Sequence, residues 1–308
     1  ALMVESLSFA GVAEIPIGVF LSQRPGPATG HPTWTEQGDL LFAVHAGHGE
    51  FPKIVLAPGD IDEMYTQTGE AFDLADKYQT PVIILSDKLL SESHLSIPAP
   101  RYIEWAQNYT PDRGNIVADV ATGDKTDVNS AVPFIRYQIT ENGISPMLIP
   151  GKKGLFYQSN SYEHVEDGHT TEDATERKRQ FDKRNKKMQV YLDSHFKMPA
   201  IYGTPLSSSV IFVSWVSTKL ALLEALKQLD IKGISASLYH FTHLYPLDRK
   251  KIRELFKMDK RYILVENNGH AQFGRLLEQE TGVHIDEKIF KYDGRPIWTE
   301  EIVEYVTQ

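Results

Sequence analysis

Short runs of apolar residues alternate with stretches of helical periodicity over the first 95 residues of the chain. The apolar runs are continuous, which is typical of strands buried on both faces of a sheet. The predicted strands are residues 15–21, 53–57 and 81–85, and the predicted helices are residues 36–46 and 60–78. Asp60 precedes the longer helix, with Glu63 three residues later as in a capping box. This alternation predicts a parallel sheet covered by helices.

The alternation stops between residues 96 and 195 and then resumes. The intervening stretch is rich in Pro, Gly and Asn, and a charged helical pattern covers residues 171–192, so we interpret it as a connecting segment. After it, the predicted strands are residues 210–213, 234–239 and 262–265, and the predicted helices are residues 217–229, 248–256 and 271–281. The fold class is therefore α/β, with predicted domains at residues 1–95, 96–195 and 196–308.

Composition and charge exclude several classes of function. A formal net charge of −9 argues against nucleic acid as a partner, because phosphate contacts need concentrated Lys and Arg. No window approaches the roughly 18 continuous apolar residues of a membrane span, so we expect no membrane partner. The start lacks a signal peptide's basic region and lies inside an uncapped helical pattern, so we expect further sequence upstream. The chain contains no cysteine, which excludes disulfides and a thiolate-bound iron–sulfur cluster on this chain.

A loop rich in Gly and Pro, residues 24–39, follows the first predicted strand. Open α/β sheets form their ligand crevices at the carboxyl ends of the strands, which is where this loop begins. Arg24, its first residue, can present a planar fork of N–H donors to a carboxylate or a phosphate. Many such connections bind nothing, so the residues alone leave both an anion site and a plain connection open.

Polar residues also follow two strands of the last part of the chain. Asn267 and Asn268 come directly after a predicted strand and suit contacts with a ligand or a subunit. An Asn-rich turn also caps helices, and we favour that interpretation here. Ser217 or Thr218 is expected to cap the helix that follows another strand.

The remaining candidate chemistry is weaker. A group of potential metal ligands lies in a charged loop that we expect to be exposed, without the apolar surroundings that would preorganise a metal site. The group consists of His164, Glu166, Asp167 and His169. A catalytic role for His48 is plausible, but the spacing does not support it. The sequence contains no GxSxG, Walker or GxGxxG motif, so hydrolase, kinase and dinucleotide-binding hypotheses lose their usual signals.

Several short motifs occur together along nearly the whole chain. They include residues 11–16, 23–24, 32–33, 36–40 (EQGDL), 48–50 (HGE), 55–58, 77–87, 163–164, 171–173, 265–268 (VENN) and 291–296 (KYDGRP). Together they resemble the C-terminal portion of the alpha subunit of the 2-oxoacid:ferredoxin oxidoreductases, the thiamine-diphosphate enzymes that include 2-oxoglutarate synthase. The resemblance implies the C-terminal part of a pyrimidine-type domain over residues 1–95. A transketolase-C-terminal-like α/β domain would occupy residues 196–308.

The resemblance also implies an activity: the oxidative decarboxylation of 2-oxoacids such as pyruvate and 2-oxoglutarate to acyl-coenzyme A and CO2. By motif, Arg24 would bind the substrate carboxylate and Thr33 would line the same pocket, while no residue of this chain is assigned a certain catalytic role. Thiamine diphosphate with Mg2+ and a [4Fe-4S] cluster would be held mainly by the beta subunit. The other implied partners are the N-terminal portion of the alpha subunit and ferredoxin, and the implied location is the cytoplasm.

Two other hypotheses remain open at this point. The chain could be a non-catalytic scaffold subunit of a related complex, although a scaffold has no need of Arg24 and Thr33. It could also belong to another α/β class, such as a nucleotide-sugar-binding domain. Ligand-dependent stabilisation of the assembled protein by a 2-oxoacid or by a nucleotide distinguishes these hypotheses.

Overall fold

Helices and strands alternate in the first part of the chain, as the apolar pattern predicts. The computed structural model describes residues 3–117, 132–152, 154–257 and 259–308, so part of the predicted connecting segment lies outside the described residues. The elements before and within that segment are α1 (Met3–Val12), β1 (Ile17–Gln23), α2 (Leu40–His45), β2 (Ile54–Leu56), α3 (Ile61–Tyr78), β3 (Pro81–Asp87), α4 (Lys88–Glu92), α5 (Ala99–Asn108), β4 (Ile116–Val117), β5 (Val132–Pro133), β6 (Met147–Leu148), β7 (Leu155–Phe156) and α6 (Ala174–Ser194).

The last part of the chain resumes the alternation. Its elements are β8 (Ala200–Tyr202), β9 (Val210–Trp215), α7 (Thr218–Ile231), β10 (Ala236–Phe241), β11 (His243–Tyr245), α8 (Arg249–Leu255), β12 (Arg261–Glu266), α9 (Gln272–Thr281), β13 (Glu287–Phe290) and α10 (Thr299–Thr307). None of the helices in the described ranges is both long and apolar enough to cross a membrane.

Two sheets with parallel strands confirm the predicted α/β class. The first has the strand order β1-β3-β2-β11, and its β1, β3 and β2 run parallel. Every residue of β3 is buried, as its continuous apolar run predicts. The second sheet has the order β13-β12-β9-β10-β8, in which only the edge strand β8 is antiparallel to its neighbour.

The short strand β11 connects the two halves in a way that the sequence did not predict. It follows β10 of the second sheet but pairs with β2 of the first, with His243 opposite Leu56. The largest apolar cluster likewise contains residues of both sheets, among them Val55 and Ile83 from the first and Val213 and Phe241 from the second. The two sheets therefore share one core, and the predicted domain boundaries stay a prediction.

Two helix starts show how local signals succeed or fail. Asp60 caps α3 as predicted, because its Oδ1 accepts a hydrogen bond from the Glu63 N–H at 2.8 Å. The predicted helix over residues 36–46 is wrong at its start, since α2 begins only at Leu40. The N–H of Gln37 donates to the Asn267 carbonyl at 2.8 Å. This distant partner keeps residues 36–39 out of the helix. Tertiary contacts thus override the local helical pattern.

Three basic side chains lie around the buried carboxylate of Glu14, which precedes β1. Glu14 forms ion pairs with Lys183 and Lys187 of α6, and all three side chains are fully buried. Arg136 donates to the Glu14 carbonyl at 2.7 Å. Burial opposes the ionised form of Glu14, but Lys187, Lys183 and Arg136 outweigh it and hold the pKa of that carboxyl well below its usual range. The charged pattern of α6 is therefore partly internal and not only a solvated face.

A second ion-pair group joins α3 to the last part of the chain. The Glu70 carboxylate accepts a hydrogen bond from Lys197 Nζ at 2.6 Å and lies 3.4 Å from His243 Nε2. Burial raises the pKa of Glu70, but His243 and Lys197 outweigh that effect and lower the pKa to about 2.

Acid is expected to remove the contribution of Glu70 to stability. The folded-state pKa of about 2 lies below the ordinary value of 4.5, so the unfolded chain takes up the proton first as the pH falls. The contribution should be complete above about pH 4.5 and decline toward about pH 2. We expect the difference in unfolding free energy between the wild type and Glu70→Gln to shrink by up to about 3 kcal/mol across that window. Urea unfolding of both proteins at several pH values measures it, and a pH-independent difference would contradict the expectation.

Candidate functional site

The 24–39 loop leaves the first sheet at the carboxyl edge of its strands. It begins after Gln23, the last residue of β1, which lies opposite Asp87, the last residue of β3. Helix α2 follows the loop directly. This is the edge at which open α/β sheets place their ligand sites.

The loop folds back on itself at Gly30. The His31 N–H donates to the Pro25 carbonyl at 3.0 Å, which closes the turn. Gly30 has a φ of +47°, and a Cβ added there would lie 1.9 Å from the Pro25 oxygen. Only glycine fits so close an approach. The turn brings the residues that follow it back toward the end of β1.

Both predicted substrate-binding residues lie on the exposed part of the loop. The Arg24 side chain makes no hydrogen bond or ion pair with the described residues, and its charge acts on the carboxylate of Asp39. Burial raises the pKa of the Asp39 carboxyl, and the Arg24 guanidinium opposes that rise. Thr33 is also exposed. No hydrogen bond joins Arg24 to Thr33, and both side chains are exposed to solvent.

The second half of the loop is bound to the turn after β12. Gln37 Nε2 donates to the Trp215 carbonyl and Gln37 Oε1 accepts from the Asn267 N–H, both at 2.6 Å. Asn268 Nδ2 donates to the Gln37 carbonyl at 3.1 Å. Gln37, Asn267 and Asn268 are almost completely buried. The network fixes the loop against the second sheet, and sequence reasoning missed Gln37 because its partners are distant in the chain.

The Asn-rich turn has a second role that agrees with the favoured interpretation. Asn268 Oδ1 accepts hydrogen bonds from the N–H groups of His270 and Gln272, the latter being the first residue of α9. Asn267 instead donates through Nδ2 to the Lys291 carbonyl at 2.7 Å. The turn therefore caps a helix and at the same time anchors the 24–39 loop.

The motif of residues 291–296 packs on the other side of the loop. The Gly294 carbonyl accepts a hydrogen bond from the Thr35 N–H at 3.1 Å. The guanidinium of Arg295 lies 3.1 Å from the ring centre of Trp34, an arrangement typical of a cation–π contact. The motif thus packs against the residues that directly follow Thr33.

A buried carboxylate at the end of β3 completes the support. Ser217 is the N-cap residue of α7, as predicted, but its side chain makes no capping hydrogen bond, because its hydroxyl donates to Asp87 instead. Asp87 also accepts from the Leu90 N–H at 2.9 Å. Burial raises the pKa of Asp87 although these hydrogen bonds oppose the rise. The Thr35 hydroxyl accepts from the Leu89 N–H at 3.2 Å, which connects the loop to the same corner.

The potential metal ligands do not form a metal site. His164 is buried, contrary to the expectation of an exposed loop, and its ring centre lies 3.9 Å from that of Tyr137. His169 lies 3.0 Å from Asp167 on the outside. Within residues 3–117, 132–152, 154–257 and 259–308, no group of three or more His, Cys, Asp or Glu side chains could hold a metal ion. His48 is exposed and its N–H donates to Ser8 Oγ, so the structure does not assign it a chemical role.

Comparisons with known proteins agree with one another. A family model described as pyruvate flavodoxin/ferredoxin oxidoreductase, thiamine diphosphate-binding, matches residues 1–183. The chain is 36% identical to the 2-oxoacid:ferredoxin oxidoreductase subunit alpha of Saccharolobus solfataricus, over 99% of this chain and 46% of that protein. It is 27% identical to the 2-oxoglutarate synthase subunit KorA of Archaeoglobus fulgidus, over 99% of this chain and 75% of that protein.

A solved structure is similar over the same extent. It is the 2-oxoglutarate:ferredoxin oxidoreductase from Magnetococcus marinus with 2-oxoglutarate, coenzyme A and succinyl-CoA bound. The TM-score is 0.86 at 30% identity, over 99% of this chain and 50% of that chain. The chain thus spans about half the length of the M. marinus chain and of the S. solfataricus relative.

Proposed function

The chain belongs to the pyruvate flavodoxin/ferredoxin oxidoreductase family, thiamine diphosphate-binding, and from this membership we propose that it provides the 2-oxoacid-binding loop of such an enzyme. The proposed reaction is the oxidative decarboxylation of a 2-oxoacid to acyl-coenzyme A and CO2, with ferredoxin as electron acceptor. The observation that carries this proposal is the exposed Arg24, whose guanidinium has no intramolecular partner among the described residues and follows directly on a parallel strand. Such a group is suited to bind a carboxylate.

Three residues of the 24–39 loop have distinct parts in this function. Arg24 binds the substrate carboxylate through two parallel N–H···O hydrogen bonds, which fixes the orientation as well as the position of the substrate. Thr33 offers a hydroxyl that can donate to, or accept from, a polar group of the same substrate. The buried Gln37 keeps the loop in place while the exposed residues bind.

The described side chains fit a substrate site better than a diphosphate–magnesium site. They include no group of three potential metal ligands, and the exposed part of the loop offers a cation and a hydroxyl instead of carboxylates. Thiamine diphosphate, when bound, supplies the nucleophile and the electron sink for decarboxylation. We therefore assign the cofactor's diphosphate and Mg2+ mainly to the beta subunit.

The composition of the chain and the length of its relatives are the basis for assigning the other partners. A chain without cysteine cannot ligate a [4Fe-4S] cluster through thiolates, and we assign the cluster that passes electrons to ferredoxin to the beta subunit. The relatives' greater length supports a further portion of the alpha subunit, which we place on the N-terminal side, as another part of the assembly. Coenzyme A is the acyl acceptor, and the proposed location is the cytoplasm.

Thermal unfolding of the purified assembly, with its chains identified by intact mass, tests the proposal. We expect this chain to purify with a cysteine-containing beta chain, and we expect a 2-oxoacid with thiamine diphosphate to raise the melting temperature of the assembly. An assembly that no 2-oxoacid stabilises would favour the scaffold hypothesis. Stabilisation by a nucleotide alone would favour a different α/β class.

Replacing Thr33 by Ala is expected to weaken substrate use moderately. One lost polar contact is worth about 1–3 kcal/mol, so kcat/KM for the preferred 2-oxoacid should fall about 5- to 150-fold. Steady-state kinetics of the assembled enzyme with several 2-oxoacids measures the effect. Thr29→Ala, at another exposed position of the loop, is the control. A Thr33→Ala enzyme that keeps the wild-type kcat/KM on every 2-oxoacid would leave Thr33 without a role.

A further inference from the structure

The side chain of Gln272 binds both ends of the segment 38–41, which contains Asp39. Gln272, the first residue of α9, donates through Nε2 to the Gly38 carbonyl at 2.5 Å. Its Oε1 accepts a hydrogen bond from the Leu41 N–H at 3.0 Å. The two contacts lie on either side of Asp39, the residue that precedes α2. A single amide thus holds the backbone on both sides of Asp39.

Asp39 in turn forms a hydrogen bond with Gln23, the neighbour of Arg24 in the chain, and its carboxylate interacts electrostatically with Arg24 without an ion-pair contact. The Asp39 N–H donates to Gln23 Oε1 at 2.9 Å, and Gln23 directly precedes Arg24. The Asp39 side chain makes no capping hydrogen bond to α2, so its carboxylate is free to interact with the Arg24 guanidinium. Gln23 is fully buried and donates through Nε2 to the Ser86 carbonyl at 3.2 Å, which ties this corner to β3. The path from Gln272 to Arg24 is therefore continuous.

The first turn of α9, which carries Gln272, is held by hydrogen bonds to a buried carboxylate. Phe273, the next residue, is fully buried, and its N–H donates to the buried Glu266 carboxylate at 3.1 Å. The Gly274 N–H donates to the same carboxylate at 3.0 Å. The first turn of α9 is thereby fixed to the end of β12. A side chain fixed in this way can hold the loop in one position. An exposed functional group needs such support from a neighbouring residue.

We propose that Gln272 is a positioning residue for 2-oxoacid binding: through Gly38, Leu41 and Asp39 it sets the direction in which Arg24 meets the substrate carboxylate. This inference rests on the proposed function of Arg24. It adds a residue of α9, 248 positions away in the chain, to the determinants of substrate binding. A mispositioned guanidinium loses the bidentate geometry first, so the effect should appear mainly in KM.

The test compares Gln272→Met with Gln180→Met in the fully assembled enzyme. Both changes keep the side-chain length and remove hydrogen bonds to the backbone, but Gln180 lies on α6 and donates to the Tyr137 carbonyl at 3.0 Å, far along the chain from the loop. We expect Gln272→Met to raise KM for the 2-oxoacid about tenfold, with a much smaller change in kcat. Gln180→Met should lower the melting temperature without changing KM.

Hydrogen–deuterium exchange of residues 24–39 gives a second readout that does not depend on turnover. We expect faster exchange there in Gln272→Met than in the wild type or in Gln180→Met. Equal KM and equal exchange in Gln272→Met and the wild type would overturn the inference, as would equal KM increases in both methionine variants. If the wild-type assembly oxidises no 2-oxoacid, the proposed function fails. Hydrogen–deuterium exchange alone then decides whether Gln272 positions the loop. An exchange rate of residues 24–39 that is the same in Gln272→Met and the wild type would reject that role.

Discussion

The Arg24→Lys enzyme is expected to lose about two orders of magnitude in kcat/KM for its 2-oxoacid, equivalent to about 3 kcal/mol of transition-state stabilisation. A guanidinium holds a carboxylate by two parallel hydrogen bonds, whereas an ammonium offers a single point of charge that does not fix orientation. Arg24 is exposed, so its replacement removes no packing. The loss should therefore fall on substrate use, while thiamine diphosphate content and assembly stay as in the wild type.

Kinetics, cofactor content and melting temperature of the assembled enzyme together measure this outcome. Arg249→Lys is the matched control, because Arg249 is also exposed and forms no ion pair with the described residues, but it lies on α8. An Arg24→Lys enzyme with wild-type kcat/KM would refute carboxylate binding by Arg24. An equal loss of activity and cofactor would assign Arg24 to cofactor binding instead.

Replacing Glu14 by Gln is expected to destabilise the fold by about 3–5 kcal/mol, the usual cost of removing one partner of a buried ion pair. Gln has nearly the same shape and faces the same strain at the positive φ of 52°. The change therefore isolates the charge: Lys183, Lys187 and Arg136 would remain buried without a counter-ion in contact. At least one lysine of the variant should then lose its proton near neutral pH.

Urea unfolding at neutral pH measures the effect. Glu141→Gln, at an exposed position without an ion pair among the described residues, should stay within about 0.5 kcal/mol of the wild type. The variant Glu14→Gln should also gain stability as the pH rises, because the unfolded chain then binds more lysine protons than the folded one. A Glu14→Gln protein within about 1 kcal/mol of the wild type would show that the ion pairs contribute little.

Local patterns sufficed for the fold class and for the position of Arg24. Continuous apolar runs identified β3 and β9 because strands buried on both faces need apolar residues at every position. Arg24 could be singled out because the end of a buried strand is visible in the sequence. The Asp60 cap of α3 likewise depends on residues three positions apart.

Features that depend on distant partners could not be predicted. Gln37 contacts Asn267 across 230 positions of the chain, and the residues near Gln37 do not indicate this partner. The strand β11 is only three residues long, too short for a periodicity to appear. The buried Lys183 and Lys187 lie in a run of mixed charge that is typical of an exposed helix face. Their burial is explained by ion pairs with Glu14, which lies about 170 positions earlier in the chain.

Ferredoxin reduction by the assembled protein tests the proposed function most directly. The full-length alpha chain that contains these residues would be purified with its beta subunit and mixed with thiamine diphosphate, Mg2+, a 2-oxoacid and oxidised ferredoxin. We expect ferredoxin to be reduced only when coenzyme A and the 2-oxoacid are both present, with acyl-coenzyme A formed in proportion. An intact, cofactor-loaded assembly that reduces no ferredoxin with pyruvate, 2-oxoglutarate or other 2-oxoacids would contradict the proposal.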